Sequence, residues 1–140
     1  MGLENRTGFV QRDIRNYLLG VDCVLAYETA SDYLGTNCMG DRPSYTVYSL
    51  EELNLDGVEC IIVDSYDNLD IVEKLGIRTT SEQYTLFDLL RNDRDPQVII
   101  EAMADWYFRH GNTYDNLDVP EDIREIFDDY AEDAPHYYDD

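Results

Sequence analysis

Seven carboxylates fall within residues 121–133, and their spacing permits the imitation of a polyanion, although an acidic helical face that is simply solvated would have the same spacing. Apolar residues recur among them at positions i, i+3, i+4 and i+7, so one face of a helix can dock on a core while the other faces stay acidic. At a rise of about 1.5 Å per residue, this gives about one charge per 3 Å, close to the ~3.4 Å spacing of phosphates along a DNA strand. The carboxylates are Glu121, Asp122, Glu125, Asp128, Asp129, Glu132 and Asp133, and the apolar positions are Ile123, Ile126, Phe127 and Tyr130.

The whole chain is acidic, with 31 Asp and Glu against 10 Lys and Arg in 140 residues, a net charge of −21. Residues 112–140 contain 11 of the acidic side chains and one basic residue, Arg124. Direct binding to nucleic acid is not expected, because phosphates repel this charge. A basic protein partner and a salt-adapted proteome would each explain the acidity, although salt adaptation should spread the charge more evenly. Tyr130, Tyr137 and Tyr138 lie among the acids and would add contact area to an interface at low entropic cost.

Other reactive residue types form no recognisable site. The chain has no glycine-rich phosphate loop, no nucleophile-elbow motif and no zinc-protease motif. Asp64, Asp67 and Asp70 lack the spacing and the glycine of a calcium loop. The three cysteines are widely spaced and are accompanied by two histidines, which makes a zinc site improbable. We therefore expect no catalytic activity, no bound metal and no cofactor.

The acidic helix needs a scaffold, and the sequence predicts helices and short strands for it. Helical periodicity or helix-end signals occur at 7–19, 29–34, 80–90 and 95–111, and strand-like runs occur at 45–48 and 58–63. We expect Gly35 to end the second of these helices, Thr80 or Ser81 to cap the third, and Asp95-Pro96 to open the fourth. The third and fourth helices should form the centre of the core, and Pro120 suits the first position of the C-terminal helix. Turn residues at 54–57 favour a β-hairpin between the two strands, whereas 69–75 fits either a strand or a short helix. We predict an α+β fold in which several helices pack on a small antiparallel or mixed β-sheet. The chain length predicts a single globular domain over 1–140, with 112–140 as its acidic C-terminal helix and tail.

Hydropathy and the N-terminal residues bear on location. The chain contains no apolar run of 18 residues, and its N-terminus lacks the pattern of a signal peptide. We therefore expect a soluble, cytoplasmic protein that does not enter a membrane. The oligomeric state stays open.

Two segments together resemble the C-terminal core of the AbiEi-type abortive-infection antitoxins. The first is YETASDYLG at 27–35, followed by a loop with Pro43 and a strand, and the second is GIRTTSEQYTLFDLL at 76–90. The second segment departs from the family motif at Glu82 and Tyr84, where the family usually has proline and arginine. Members usually also carry an N-terminal winged helix that binds their promoter, and the 26 residues before the first segment are too few for one.

The resemblance has consequences for fold and function. It implies that Thr85, Leu86 and Asp88 are structural residues of one helix rather than a site. It also implies an alternative function, that of an AbiEi-like antitoxin or regulator that neutralises a nucleotidyltransferase toxin.

Size and charge are also similar to those of phage anti-CRISPR proteins that mimic DNA. The predicted function is therefore a non-catalytic acidic inhibitor that binds the nucleic-acid-contacting surface of a basic protein. An RNA-guided CRISPR nuclease is the candidate target, since such enzymes read duplex DNA with arginines. If the chain is phage-encoded, it would act in the cytoplasm of the host cell.

Overall fold

Five α-helices and five β-strands form in the part of the chain that the computed structural model describes, residues 3–37 and 42–137. The helices are α1 (Leu3–Leu18), α2 (Tyr27–Leu34), α3 (Glu82–Arg91), α4 (Pro96–Arg109) and α5 (Arg124–Asp133). The strands are β1 (Val24–Leu25), β2 (Tyr45–Ser49), β3 (Val58–Ile62), β4 (Ile71–Lys74) and β5 (Ile77–Thr80). Two short 3-10 turns, Glu121–Ile123 and Ala134–His136, flank α5. The fold is α+β, as predicted.

Helix ends that depend on local chemistry lie where the sequence predicts them. The Ser81 hydroxyl accepts a hydrogen bond from the Tyr84 N–H at 3.2 Å and caps α3. The Asp95 carboxylate accepts the Gln97 N–H at 2.9 Å at the start of α4. Gly35 ends α2 with a φ of 79°, a left-handed conformation that glycine adopts without a steric penalty.

The sheet is mixed, with strand order β3-β2-β1-β5-β4, and the predicted hairpin between β2 and β3 is wrong. These two strands run parallel, with Tyr45 opposite Val58 and Ser49 opposite Ile62. The segment that connects β2 to β3 runs back to the start of β2 before β3 begins. There the Tyr45 N–H donates to the Gly57 carbonyl at 2.7 Å. Leu53 and Leu55 from this connection pack partly buried against the core and hold it on the sheet.

The true hairpin joins β4 to β5. These strands pair antiparallel, and the two residues between them, Leu75 and Gly76, have φ values of 54° and 84°. Positive φ at both positions is typical of the type I′ turn, which matches the twist of the flanking strands. Residues 69–75, which fit a strand or a helix by sequence, therefore contribute strand β4.

The core has two large parts. Leu86, Leu89, Val98 and Met103 of α3 and α4 belong to one cluster, in agreement with the prediction that these helices are central. A second cluster joins α1 and α2 to the sheet, and its members are Ile14, Leu18, Cys23, Leu25, Ala30, Tyr33, Val47 and Ile77. Thus α5 docks on the helical part of the core, away from the sheet.

The C-terminal helix begins later than the sequence suggests. Pro120 has an extended ψ of 147° and precedes the 3-10 turn instead of occupying the first helical position, so α5 itself starts at Arg124. Cys38 in the predicted loop and Tyr138 in the acidic tail lie outside the described residues.

Candidate acidic interaction surface

The apolar stripe of the C-terminal segment docks on the helical core, as its spacing predicts. Ile123 and Phe127 are only 3% and 2% exposed, while Ile126 and Tyr130 are half-buried against the same cluster. The Tyr114 ring meets the Phe127 ring edge-on, with 5.4 Å between ring centroids. Burial of these side chains fixes the direction in which the remaining faces of α5 point.

Those remaining faces are acidic and open to solvent. All seven carboxylates of the sequence prediction are exposed, and we call them the α5 acidic surface: Glu121, Asp122, Glu125, Asp128, Asp129, Glu132 and Asp133. A partner that removes water from any of these carboxylates must supply hydrogen bonds or a positive charge in its place.

Two of the seven are paired with arginine within the molecule. Asp122 accepts two hydrogen bonds from the Arg91 guanidinium, at 2.7 and 3.1 Å, and this contact lowers the pKa of Asp122 below its usual value. Asp128 lies 3.3 Å from Arg124, one turn earlier on α5. The other five have no ion pair with any described residue, and they remain the stronger candidates for contact with a basic partner.

The tyrosines are partly structural. The Tyr130 ring packs against the helical core, and the pKa of its hydroxyl is raised by burial and then by the nearby charges of Asp93 and Asp95. The acidic surface therefore continues from α5 towards the start of α4. The Tyr137 hydroxyl donates to Glu101 at 2.9 Å and also contacts the side-chain amide of Gln97, which ties the last described residue to α4.

A second group of carboxylates, which sequence reasoning missed, is buried on α2. The side chains of Asp32 and Arg42 are only 1% and 12% exposed, and the guanidinium donates to both carboxylate oxygens at 2.9 and 3.1 Å. Glu28, one turn earlier, accepts bonds from Arg94 at 2.8 and 3.1 Å. We call these four residues the α2 ion cluster.

Burial and hydrogen bonding act in opposite directions within this cluster. Burial raises the pKa of Asp32 despite the opposing contact with Arg42. For Glu28 the hydrogen bonds from Arg94 and from the Asp95 N–H outweigh burial, so its pKa is lowered. The Arg94 guanidinium also lies 4.6 Å from the centroid of the Tyr27 ring. The one sequence signal for this cluster was the i, i+4 spacing of two acids on a short helix that is otherwise mostly apolar or uncharged.

A buried tyrosine–carboxyl pair joins the sheet to α3. The Tyr48 hydroxyl donates to Asp88 at 2.5 Å, and both residues are buried. Burial raises the pKa of both groups, so the tyrosine keeps its proton and acts as the donor. Thr85 and Leu86 on the same helix are buried as well. The three residues that the antitoxin resemblance marks as structural are thus all core positions.

A cavity of about 560 Å³ forms an open groove between α1 and the segments before β2 and β3. The rings of Tyr17 and Tyr45 lie 6.1 Å apart at its wall, and the Tyr17 hydroxyl donates to the Asp56 carbonyl at 2.6 Å. Asp13 and Asn16 also line it.

Within residues 3–37 and 42–137, no three His, Cys, Asp or Glu side chains come together as metal ligands. In the same residues, the helices are too short or too polar to cross a lipid bilayer. Neither a protein-family model nor a curated protein sequence matches the chain.

Proposed function

We propose that this protein is a non-catalytic inhibitor that binds the nucleic-acid-contacting surface of a basic protein by mimicking DNA. The observation that carries the proposal is the exposure of closely spaced carboxylates on a helix that the core holds in place. The five unpaired acids span about 18 Å of helix, or about one charge per 4 Å, near the ~3.4 Å phosphate spacing of one DNA strand. An RNA-guided nuclease in a host cytoplasm is the target class that we put forward, since its arginines normally meet duplex DNA.

Internal ion pairing supports the same proposal. Among the described residues, at least six of the ten basic residues already have a carboxylate partner: Arg42, Arg78, Arg91, Arg94, Arg109 and Arg124. The chain therefore has few cations left to neutralise α5, and a basic partner would supply them. Complementary charge of this kind mainly accelerates association and selects the partner.

The test compares two charge-matched variants. The first replaces Glu125, Asp129, Glu132 and Asp133 by Gln or Asn, and the second makes the same type of change at the exposed residues Glu51, Glu52, Asp64 and Asp67. Partners are captured from host lysate with wild-type protein, eluted with a salt gradient and identified, and affinity for the main partner is then measured. We expect the α5 variant to lose about one to three decades of affinity, and the control to lose much less.

Other outcomes assign other functions. Equal losses in the two variants would leave only a diffuse charge effect, and binding that does not weaken with salt would contradict the mimic, since exposed charges are screened. Capture of a nucleotidyltransferase that binds both variants normally would favour the AbiEi-like antitoxin. Failure to capture a basic protein, together with stability that rises steeply with salt, would assign the acidity to salt adaptation.

A further inference from the structure

A pocket of about 160 Å³ between α1 and the β4–β5 hairpin is basic, in contrast to the rest of the molecule. Its lining side chains include three of the ten basic residues in the chain and no carboxylate. In a chain with three acids for every base, such a lining departs sharply from the average surface. The six lining residues are Gln11, Arg12, Arg15, Tyr33, Lys74 and Leu75.

Hydrogen bonds hold the walls of this pocket together. Tyr33 is buried, and its hydroxyl donates to the Lys74 carbonyl at 2.6 Å, which joins α2 to the hairpin. The Gln11 side-chain amide donates to the Tyr33 carbonyl at 2.9 Å, which joins α1 to α2. Three elements therefore meet around one tyrosine ring, and the pocket does not depend on a single loop.

Two of these charged side chains lie near that ring. The Lys74 ammonium lies 5.8 Å from the ring centroid. Burial raises the pKa of the Tyr33 hydroxyl, and the nearby charge of Arg15 acts in the opposite direction. Neither Arg15 nor Lys74 forms an ion pair with a described carboxylate. Glu73 is the nearest acid in sequence, but side chains alternate along a strand, so it points to the opposite face from Lys74.

We propose that this pocket binds a phosphate group, held mainly by Arg15 and Lys74. A guanidinium offers two parallel donors to phosphate oxygens, and an ammonium adds a compact point charge. The pocket has room for about five waters at ~30 Å³ each, enough for one phosphate and too little for a drug-sized ligand. The pocket is separate from the α5 acidic surface. A phosphate site here can therefore exist whether or not the protein is the proposed inhibitor.

Two exposed leucines beside the pocket bear on the source of the phosphate. Leu75 is 67% exposed. Leu19, which follows α1, is 58% exposed and lies next to Gly76, the residue that forms the turn with Leu75. The organic part of a phosphate monoester would cover this apolar surface, whereas inorganic phosphate would leave it in water. A monoester with an alkyl group should therefore bind more tightly than free phosphate if the natural ligand is an ester.

The experiment titrates inorganic phosphate, and separately butyl phosphate, into the full chain while backbone amide resonances are followed by NMR. Sodium chloride of matched ionic strength is the reference. We expect saturable shifts around Arg15 and residues 74–76, with a dissociation constant of about 1 mM or tighter. At ten times that concentration, the melting temperature should rise by about 2 to 6 °C. Tighter binding of butyl phosphate indicates an ester ligand, and equal or weaker binding indicates free phosphate.

Variants make the assignment specific. Arg15→Gln and Lys74→Gln should each weaken phosphate binding by about tenfold, because each removes a charge-assisted contact. Arg124→Gln removes the same charge from a distant helix and should leave binding unchanged. Circular dichroism and melting curves verify that each variant is folded. Shifts that match those in sodium chloride, or equal weakening in all three folded variants, would overturn the proposal.

Discussion

Helices α2 and α5 both carry closely spaced carboxylates, but α2 buries them against the guanidinium groups of Arg42 and Arg94, whereas α5 leaves them in solvent. Glu28 and Asp32 each meet a guanidinium through two or more hydrogen bonds. Most acids of the α5 acidic surface have no ion pair among the described residues. The comparison shows that the same residue type serves folding in one place and is available for a partner in the other.

The physical difference is the cost of leaving a carboxylate alone. A buried carboxylate has lost its water, so it needs a cation and hydrogen bonds in the folded protein. An exposed carboxylate keeps its water, and an ion pair adds little to its free energy. Removing a partner should therefore destabilise the α2 ion cluster strongly and α5 hardly at all.

The largest effect is expected when Arg42 is lost. Arg42→Met leaves Asp32 buried without its cation, and we expect the free energy of unfolding to fall by about 3 kcal/mol. Urea denaturation at neutral pH measures it. The matched double variant, Asp32→Leu with Arg42→Met, removes both charges and should recover part of the loss. A single variant as stable as wild type would show that the pair is not buried in solution.

Glu28→Gln should have a smaller effect, about 1.5 to 3 kcal/mol, because it removes charge-assisted hydrogen bonds while Arg94 keeps some contact with water. The pKa of Glu28 is lowered in the folded protein, so its contribution is full above the ordinary value of 4.5 and is lost as pH falls through the folded pKa. Urea denaturation from pH 3 to 7 should show wild type and variant converging at the acidic end. A constant difference across that range would contradict the ion pair.

Asp88→Asn should change the pH profile in the opposite sense. Burial raises the pKa of Asp88 above its ordinary value of 3.8, so the folded state holds that proton more tightly, and wild-type stability falls as pH rises through the folded pKa. Asparagine cannot ionise but can still accept from Tyr48. The variant should therefore gain stability relative to wild type between pH 4 and pH 7, as measured by thermal unfolding. A relative loss over that interval would contradict the raised pKa.

The smallest effect is expected on α5. Neutralising Glu125, Asp129, Glu132 and Asp133 should change the free energy of unfolding by less than about 0.5 kcal/mol per site. At low salt the variant should have the higher free energy of unfolding, because the repulsion between like charges is smaller. The difference between variant and wild type should shrink in 1 M salt, where the Debye length is about 3 Å. Denaturation at two salt concentrations tests this. A large loss of stability would place these acids among the structural residues.

Features that depend on neighbouring residues could be predicted from the sequence. The cap at Ser81, the Asp95-Pro96 helix start and the Gly35 helix end each depend on contacts within a few residues, and all three lie where they were expected. The α5 apolar stripe was predictable for the same reason, since helical spacing alone brings Phe127 and its neighbours to one face.

Features that join distant segments could not be predicted in this way. Turn residues at 54–57 were compatible with a hairpin, yet β2 and β3 run parallel, because the connection packs back onto the sheet before β3 begins. The ion pair of Glu28 and Arg94 joins residues 66 positions apart, and Arg15 and Lys74 line the same pocket only because α1 passes the hairpin.

The sequence by itself determined the net charge, the helix boundaries set by local caps and the amphipathic character of α5, because each is a property of composition or of residues one or two turns apart. Only the tertiary structure decided strand direction, which carboxylates are buried and paired, and where basic side chains converge. Those outcomes depend on packing between segments far apart in the chain, and many arrangements of the same segments satisfy the local preferences equally well.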